Sequence, residues 1–181
     1  MKKKTTFEID IFQIDQPLYI VGRTVRVTHG TPECFPAIDA LCQTFDDDDV
    51  TAAIPDKAEP VIPFGVCSDH ISHGGDIIEF TYMKGVQVRE CPDDSQLPKT
   101  TLCHTIPAGD YVRIRVSAPS FDAGIGTAYI ELDRWESPEW ENCDDSGYEV
   151  FTSRRYNPEN HCFDESLRFE MEKWGRVRRK A

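Results

Sequence analysis

One order of elements, strand–strand–helix–strand–strand, is legible twice along this chain, over about residues 7–89 and again over 101–174. In the first pass Phe7 to Gln13 alternates apolar and polar side chains, and Leu18 to Val27 is rich in β-formers, so two short strands are predicted. Thr31-Pro32-Glu33 then offers a cap and a proline suited to a first helical turn. Phe35, Ile38, Leu41, Cys42 and Phe45 follow at spacings that gather apolar side chains on one helical face. The helix is expected to stop before the run Asp46 to Asp49, because acidic side chains oppose the negative end of the helix dipole. Val61–Cys67 and Asp76–Met83 read as a strand pair around the segment from His70 to Gly75.

Residues 91–100 form a polar, proline-bearing connector, after which the order restarts. Thr101–Ile106 and Asp110–Val116 are predicted strands about the turn Pro107-Ala108-Gly109. Pro119-Ser120 can open a helix in which Ile125, Ala128, Tyr129 and Leu132 share a face, ending near Trp135. Gly147–Ser153 and Leu167–Trp174 complete the second set. Identity between the halves is slight, so the order of elements carries the duplication. The expected architecture is α+β, a single domain over residues 1–181. Its two repeats would pair antiparallel sheets about a pseudo-twofold axis, with helices on one face and a ligand groove between the repeats.

Composition narrows what such a domain does. Lys and Arg number 20 against 32 Asp and Glu, a formal charge of −12, and 39% of residues are hydrophobic. That supports a real core and argues against a general nucleic-acid binder, since phosphates are repelled by an acidic surface. Lys2 to Lys4 and Arg176 to Lys180 make both ends basic around an acidic body, which favours cationic partners. No stretch approaches the roughly 20 apolar residues of a membrane helix. Glu8, Asp10 and Asp15 interrupt what would be the apolar core of a signal peptide. Seven cysteines cannot all pair within one chain and none forms a CxxC, so reduced thiols in a cytoplasm are expected.

Several stretches resemble the GyrI-like family (the AraC-type effector-binding, SbmC-like domains). Ile106-Pro-Ala-Gly-Asp-Tyr111 with the strand to Val116 resembles that family's Gly-x-Tyr strand entry. Tyr129 to Trp135 is similar to its helix ending in Trp, and Gly147 to Phe151 is similar to its Phe-Glu-Val-Tyr strand. Leu167 to Glu172 resembles its closing Ile-Glu-x-Tyr strand. The motifs occur in family order over about 101–177, and the duplicated layout covers nearly the whole chain. Trp135-Glu-Ser-Pro138 replaces the usual Trp-Leu-Pro, and Trp174-Gly-Arg-Val177 replaces the usual Pro-Val-Lys. The resemblance implies capture of lipophilic, often cationic, aromatic compounds in the groove between repeats. The residues before Phe7 and after Trp174 are too few for a helix-turn-helix, so a stand-alone form without direct nucleic-acid binding is expected.

A cation site wants an acidic group screened from water and aromatic faces, whose quadrupoles add roughly 0.5–2 kcal/mol. By the resemblance, Glu149 is the buried anion. Strand alternation turns Tyr148 away from it, which leaves Tyr111, Trp135 and Phe151 as aromatic partners. Glu79, in the equivalent strand pair of the first repeat, is the mirror candidate. The blander readings are an exposed Glu149 or one paired with Arg113 or Arg154, core packing for Tyr111 and Trp135, and a solvated Glu79. Cys67-x2-His70-x2-His73 has zinc-ligand types without an evident fourth ligand, and Cys103-His104 and His161-Cys162 diverge on a strand. Asp46 to Asp49 lacks the glycine and distal glutamate of a calcium loop, and Gly124-Ile-Gly126 is no phosphate loop. No metal or other cofactor is therefore expected, and the basic end from Arg176 to Lys180 reads as a soluble tail. Small-molecule binding leads. Hydrolysis of reactive electrophiles with Glu149 as general base is the enzymatic alternative. A protein partner, DNA gyrase or a regulator, is the third reading.

Overall fold

The computed structural model describes residues 4–75, 77–152, 156–157, 162–163 and 168–180. Arg154, His161, Ser153 and Leu167, all named above, lie outside them. The elements run β1 (Thr6–Ile14), β2 (Leu18–His29), α1 (Cys34–Asp47), α2 (Val50–Ala53), β3 (Pro63–Ser72) and β4 (Ile78–Val88). They continue as β5 (Leu102–Ile106), β6 (Gly109–Ala118), α3 (Phe121–Asp133), β7 (Trp140–Val150), β8 (Tyr156–Asn157), β9 (Cys162–Phe163) and β10 (Phe169–Arg179). Strand–strand–helix–strand–strand thus occurs twice, with the short β8–β9 pair set within the second occurrence. No helix of the described residues is long and apolar enough to cross a membrane.

The chain forms two compact units. Unit one comprises Met1–Gln13, Gly109–Asp144 and Glu149–Ala181, and unit two comprises Ile14–Ala108 and Asp145–Tyr148. Within unit one the strands lie in the order β1-β6-β10-β7. β10 runs antiparallel to β6 in unbroken register, from Phe169 opposite Ala118 to Val177 opposite Asp110. Alternation then assigns each side chain a face. Phe169, Met171, Lys173, Gly175 and Val177 point to one side with Val112, Ile114, Val116 and Ala118 of β6, and α3 covers that side. Ser120 caps α3 by accepting a hydrogen bond from the Ala123 amide, as its position before the helix predicts.

Unit two has the strand order β3-β4-β2-β5, antiparallel at β3–β4, β4–β2 and β2–β5. Phe45 of α1 packs with Val21, Val86 and Val88. Two expectations for α1 need correction. Glu33, not Thr31, stands before its first turn, while the Thr31 hydroxyl donates to the Thr28 carbonyl. The helix also runs on through Asp46 and Asp47, because Lys84 meets Asp46 at 2.7 Å and Arg23 meets Asp48 at 2.5 Å, which offsets the dipole penalty. The basic segment expected as a tail is largely strand. Val177 is buried in β10, Arg178 pairs with Glu141 at 2.7 Å, and the Arg179 guanidinium lies over the Trp140 ring.

Candidate functional site

Three charged or polar residues are buried among the described residues, and two of them meet on the helix-covered side of unit one. Glu149 of β7 and Lys173 of β10 have side chains 5% and 3% exposed, and Lys173 Nζ is 3.8 Å from Glu149 Oε1. The Tyr129 hydroxyl of α3 donates to the same Oε1. Lys173 Nζ also sits 4.0 Å from the centre of the Tyr129 ring. One ammonium is therefore held between a carboxylate and an aromatic face. Removing both ions from water costs several kcal/mol each, and their pairing, with the tyrosine hydrogen bond, offsets that cost.

Small residues let the helix reach this arrangement. A Cβ on Gly124 would lie 2.3 Å from the Phe169 ring, and one on Gly175 would lie 3.2 Å from Leu132. Glycine at both places lets α3 settle against β10. Tyr129, between Gly124 and Leu132 in sequence, then comes over Lys173. The Tyr129 residue remains 41% exposed, so its outer flank meets solvent while Glu149 and Lys173 beneath it are buried.

The residues singled out in the sequence fall in different places. Glu149 is buried, as the resemblance implied, and Phe151 follows it by two positions on the same strand direction. Phe151 packs on the unit-one core, stacks on Phe121 at 6.4 Å and approaches Phe169 at 6.3 Å. Trp135 packs on that core too, and with Glu136, Trp140 and Glu141 it lines a cavity of about 600 Å³. Tyr111 is fully buried but on the opposite side of the sheet. It pairs with Arg176, an even position on β10, whereas Lys173 opposes Ile114. There Phe12 lies 5.9 Å from Tyr111 and 5.0 Å from Trp174. The expectation that Tyr111 flanks Glu149 is corrected on that ground: one-residue alternation turns the two to different faces.

Arg113 lies on that second face. It forks onto Asp10 at 3.0 and 2.7 Å and lies 3.6 Å from Glu172, with its guanidinium over Phe12. The Asp10 carboxyl is held below its ordinary range by the Arg113 hydrogen bonds, and the Arg113 guanidinium is pushed up by the same bonds. Glu79 of β4 belongs to unit two and is engaged at the surface. Arg26 meets it at 2.6 Å and His73 at 3.0 Å, and the Arg26 hydrogen bond, with that of His73, holds its carboxyl below the usual range. It is thus an ion-pair residue in its own unit. Of the residues with zinc-ligand types, His73 is taken up by Glu79, and the His70 ring stacks on Phe80 at 5.5 Å.

The partners of Glu149 not singled out as site residues in the sequence are Lys173 and Tyr129. Lys173 carried a signal: it is the one charged position in the apolar series Phe169, Met171, Lys173, Gly175, Val177. Tyr129 was legible as part of a helix face but not as a partner of Glu149.

The α+β fold of this chain is shared with several solved structures. The chain is similar to the integron cassette protein VCH_CASS2 from the mobile metagenome of Vibrio cholerae, at 15% identity and a TM-score of 0.66, over 97% of this chain and 100% of that one. It is similar to SAV2435, solved bound to tetraphenylphosphonium, at 15% identity and a TM-score of 0.64, over 94% of each chain. It is also similar to the EcmrR C-terminal domain, at 16% identity and a TM-score of 0.62, over 96% of this chain and 99% of that one. At these identities the likeness is one of fold. No family model matches the chain, and no curated protein matches it by sequence.

Proposed function

We propose that this chain captures lipophilic aromatic cations, with Glu149 as the anionic anchor and Tyr129 as the aromatic wall. The observation that carries the reading is the seat of Lys173. A primary ammonium already rests 3.8 Å from the Glu149 carboxylate and 4.0 Å from the Tyr129 ring, so the cradle has the chemistry of a cation site. The fold shared with SAV2435, which was solved with a lipophilic cation, supports the same class of ligand. Phe151 and Trp135 add apolar surface on the same side of unit one.

Lys173 gives the reading its distinctive feature. Its ammonium competes with any ligand cation for one carboxylate. A ligand that approaches over the exposed flank of Tyr129 must share Glu149 with Lys173 or displace it. Binding by the natural chain is then weaker than the cradle allows, and Lys173→Met strengthens it. Relief of like-charge competition is expected to be worth roughly 1–2 kcal/mol, about five- to thirtyfold in Kd.

The test is calorimetric titration of the intact chain with tetraphenylphosphonium and with a neutral triphenyl compound. Wild type should bind the cation in preference, Glu149→Gln/Lys173→Met should lose that preference, and Lys173→Met should bind most tightly. Equal affinity for cation and neutral compound in every variant sinks the proposal. Recovery of the ligand unaltered after long incubation separates capture from hydrolysis.

A further inference from the structure

Cys91 opens the connector that follows β4, and Cys103 lies on β5, both within unit two. Their Sγ atoms are 2.8 Å apart and in hydrogen-bonding contact. Carbon atoms, which are smaller than sulfur, touch without bonding at about 3.5–4.0 Å. An S–S bond measures about 2.05 Å. The two sulfurs therefore stand well inside ordinary contact and within a small side-chain adjustment of bonding distance. Cys91 is exposed and Cys103 is half-buried, packed against a core that includes Val21, Phe45 and Val86. Cys91 also lines a cavity of about 440 Å³ with Pro55, Asp56, Glu90, Pro92 and Gln96.

We propose that Cys91 and Cys103 form a reversible intramolecular disulfide by exchange with a low-molecular-weight disulfide, RSSR. The exposed Cys91 thiolate attacks one sulfur of RSSR; that S–S bond breaks, the mixed disulfide on Cys91 forms and RS⁻ leaves. Cys103, having released its proton to solvent, attacks the Cys91 sulfur. The protein disulfide forms and the second RS⁻ departs. Each RS⁻ takes up a proton, so two protein thiols are oxidised and RSSR is reduced to two RSH. The cavity beside Cys91 gives the R group a place to approach. Burial, followed by the Cys91 contact and the charge of Asp94, pushes the Cys103 thiol up to about 12. The second step is therefore slow at neutral pH and accelerates as the pH rises.

The disulfide would close the connector, with its short 3₁₀ turn at Asp94–Gln96, onto β5. Cross-linking a loop of this size restricts the unfolded chain, and a rise in Tm of roughly 5–10 °C is expected.

The intact chain should be incubated with oxidised glutathione at pH 8, its remaining thiols alkylated, and its peptides mapped by non-reducing mass spectrometry. The expected result is a cross-linked peptide joining Cys91 to Cys103, a raised Tm that dithiothreitol reverses, and faster closure at pH 9 than at pH 7. Cys103→Ser should halt at a glutathione adduct on Cys91, and Cys91→Ser should give no cross-link. Three results overturn the proposal: both thiols alkylated in the wild type after prolonged oxidation, a lasting adduct on Cys91 beside a free Cys103, or either cysteine paired elsewhere. The wild-type comparison under oxidising and reducing conditions stands even if a variant fails to fold.

Discussion

Glu149 and Glu79 are the same residue type in strands of two like-ordered halves, and both meet a cation and a ring-bearing side chain. Their surroundings are otherwise opposed. Glu149 sits on β7, 5% exposed, against Lys173 and the hydroxyl of Tyr129, under a helix. Glu79 sits on β4, 31% exposed, against Arg26 and His73. A surface carboxylate that loses its partner is rehydrated. A buried one has no such recourse, and neither has the lysine beside it. The comparison teaches that the second repeat holds its polar pair in a place where an error is costly, which is how a buried ion pair differs from a surface one.

The largest effect follows directly. Glu149→Gln strands the Lys173 ammonium in the core and should cost about 3–5 kcal/mol in urea unfolding. Glu79→Gln should move the urea midpoint by little more than experimental error. The double variant Glu149→Gln/Lys173→Met should recover most of the loss, because it removes both charges together. Equal losses at Glu149 and Glu79, or a double variant no better than Glu149→Gln, break the comparison.

The next effect concerns the helix that covers Glu149. Gly124→Ala places a methyl group where the Phe169 ring stands, 2.3 Å away, so α3 or the ring must move. Overpacking of this kind should cost roughly 1–3 kcal/mol. If α3 is what brings Tyr129 to Glu149, the variant should also lose cation affinity while its remaining structure melts cooperatively. Gly126, whose added Cβ meets nothing within 4 Å, is the matched control in the same helix. Its alanine variant should leave cation affinity as it is and raise stability by up to about 1 kcal/mol, the ordinary preference of a helix interior for alanine over glycine.

Much of this is legible in the amino-acid sequence. Alternation in Phe7 to Gln13 and the helical spacing at Ile125, Ala128 and Leu132 are local properties, and they located the elements in order. Ser120 before α3 was equally plain. What failed was set by contacts distant in sequence. α1 passes through its aspartates because Lys84 and Arg23, on other elements, neutralise them. The face of Tyr111 depends on the register of β6 against β10, and a shift of one residue would have reversed it. Lys173 was readable as a charge among apolar positions, but its counter-ion was not. That pairing needs β7 beside β10 and α3 across both, and no local pattern states those adjacencies.

The smallest effect distinguishes the units by pH. In unit two, His104 is half-buried, its Nε2 has no hydrogen-bond partner among the described residues, and its ring lies 6.1 Å from Tyr148. Burial lowers its pKa below the ordinary value, and the Asp69 charge only partly opposes this. The unfolded chain then takes up a proton near pH 6.5 that the folded chain refuses. Stability contributed by neutral His104 is complete above about pH 6.5 and is lost as the pH falls through the lowered folded value, with a slope of at most about 1.4 kcal/mol per pH unit. In unit one, Asp10 is also lowered, by the hydrogen bonds from Arg113, so its contribution persists until the pH falls below the ordinary carboxylate range near 4. Melting curves from pH 2 to 8 should therefore show wild type losing stability first in the histidine window. His104→Gln should flatten that window and keep the acid loss, whereas Asp10→Asn should keep the histidine window and blunt the loss at lower pH. If His104→Gln follows the wild-type curve between pH 6.5 and 5, the histidine is not the group that makes unit two the more acid-sensitive, and the pH contrast between the units falls.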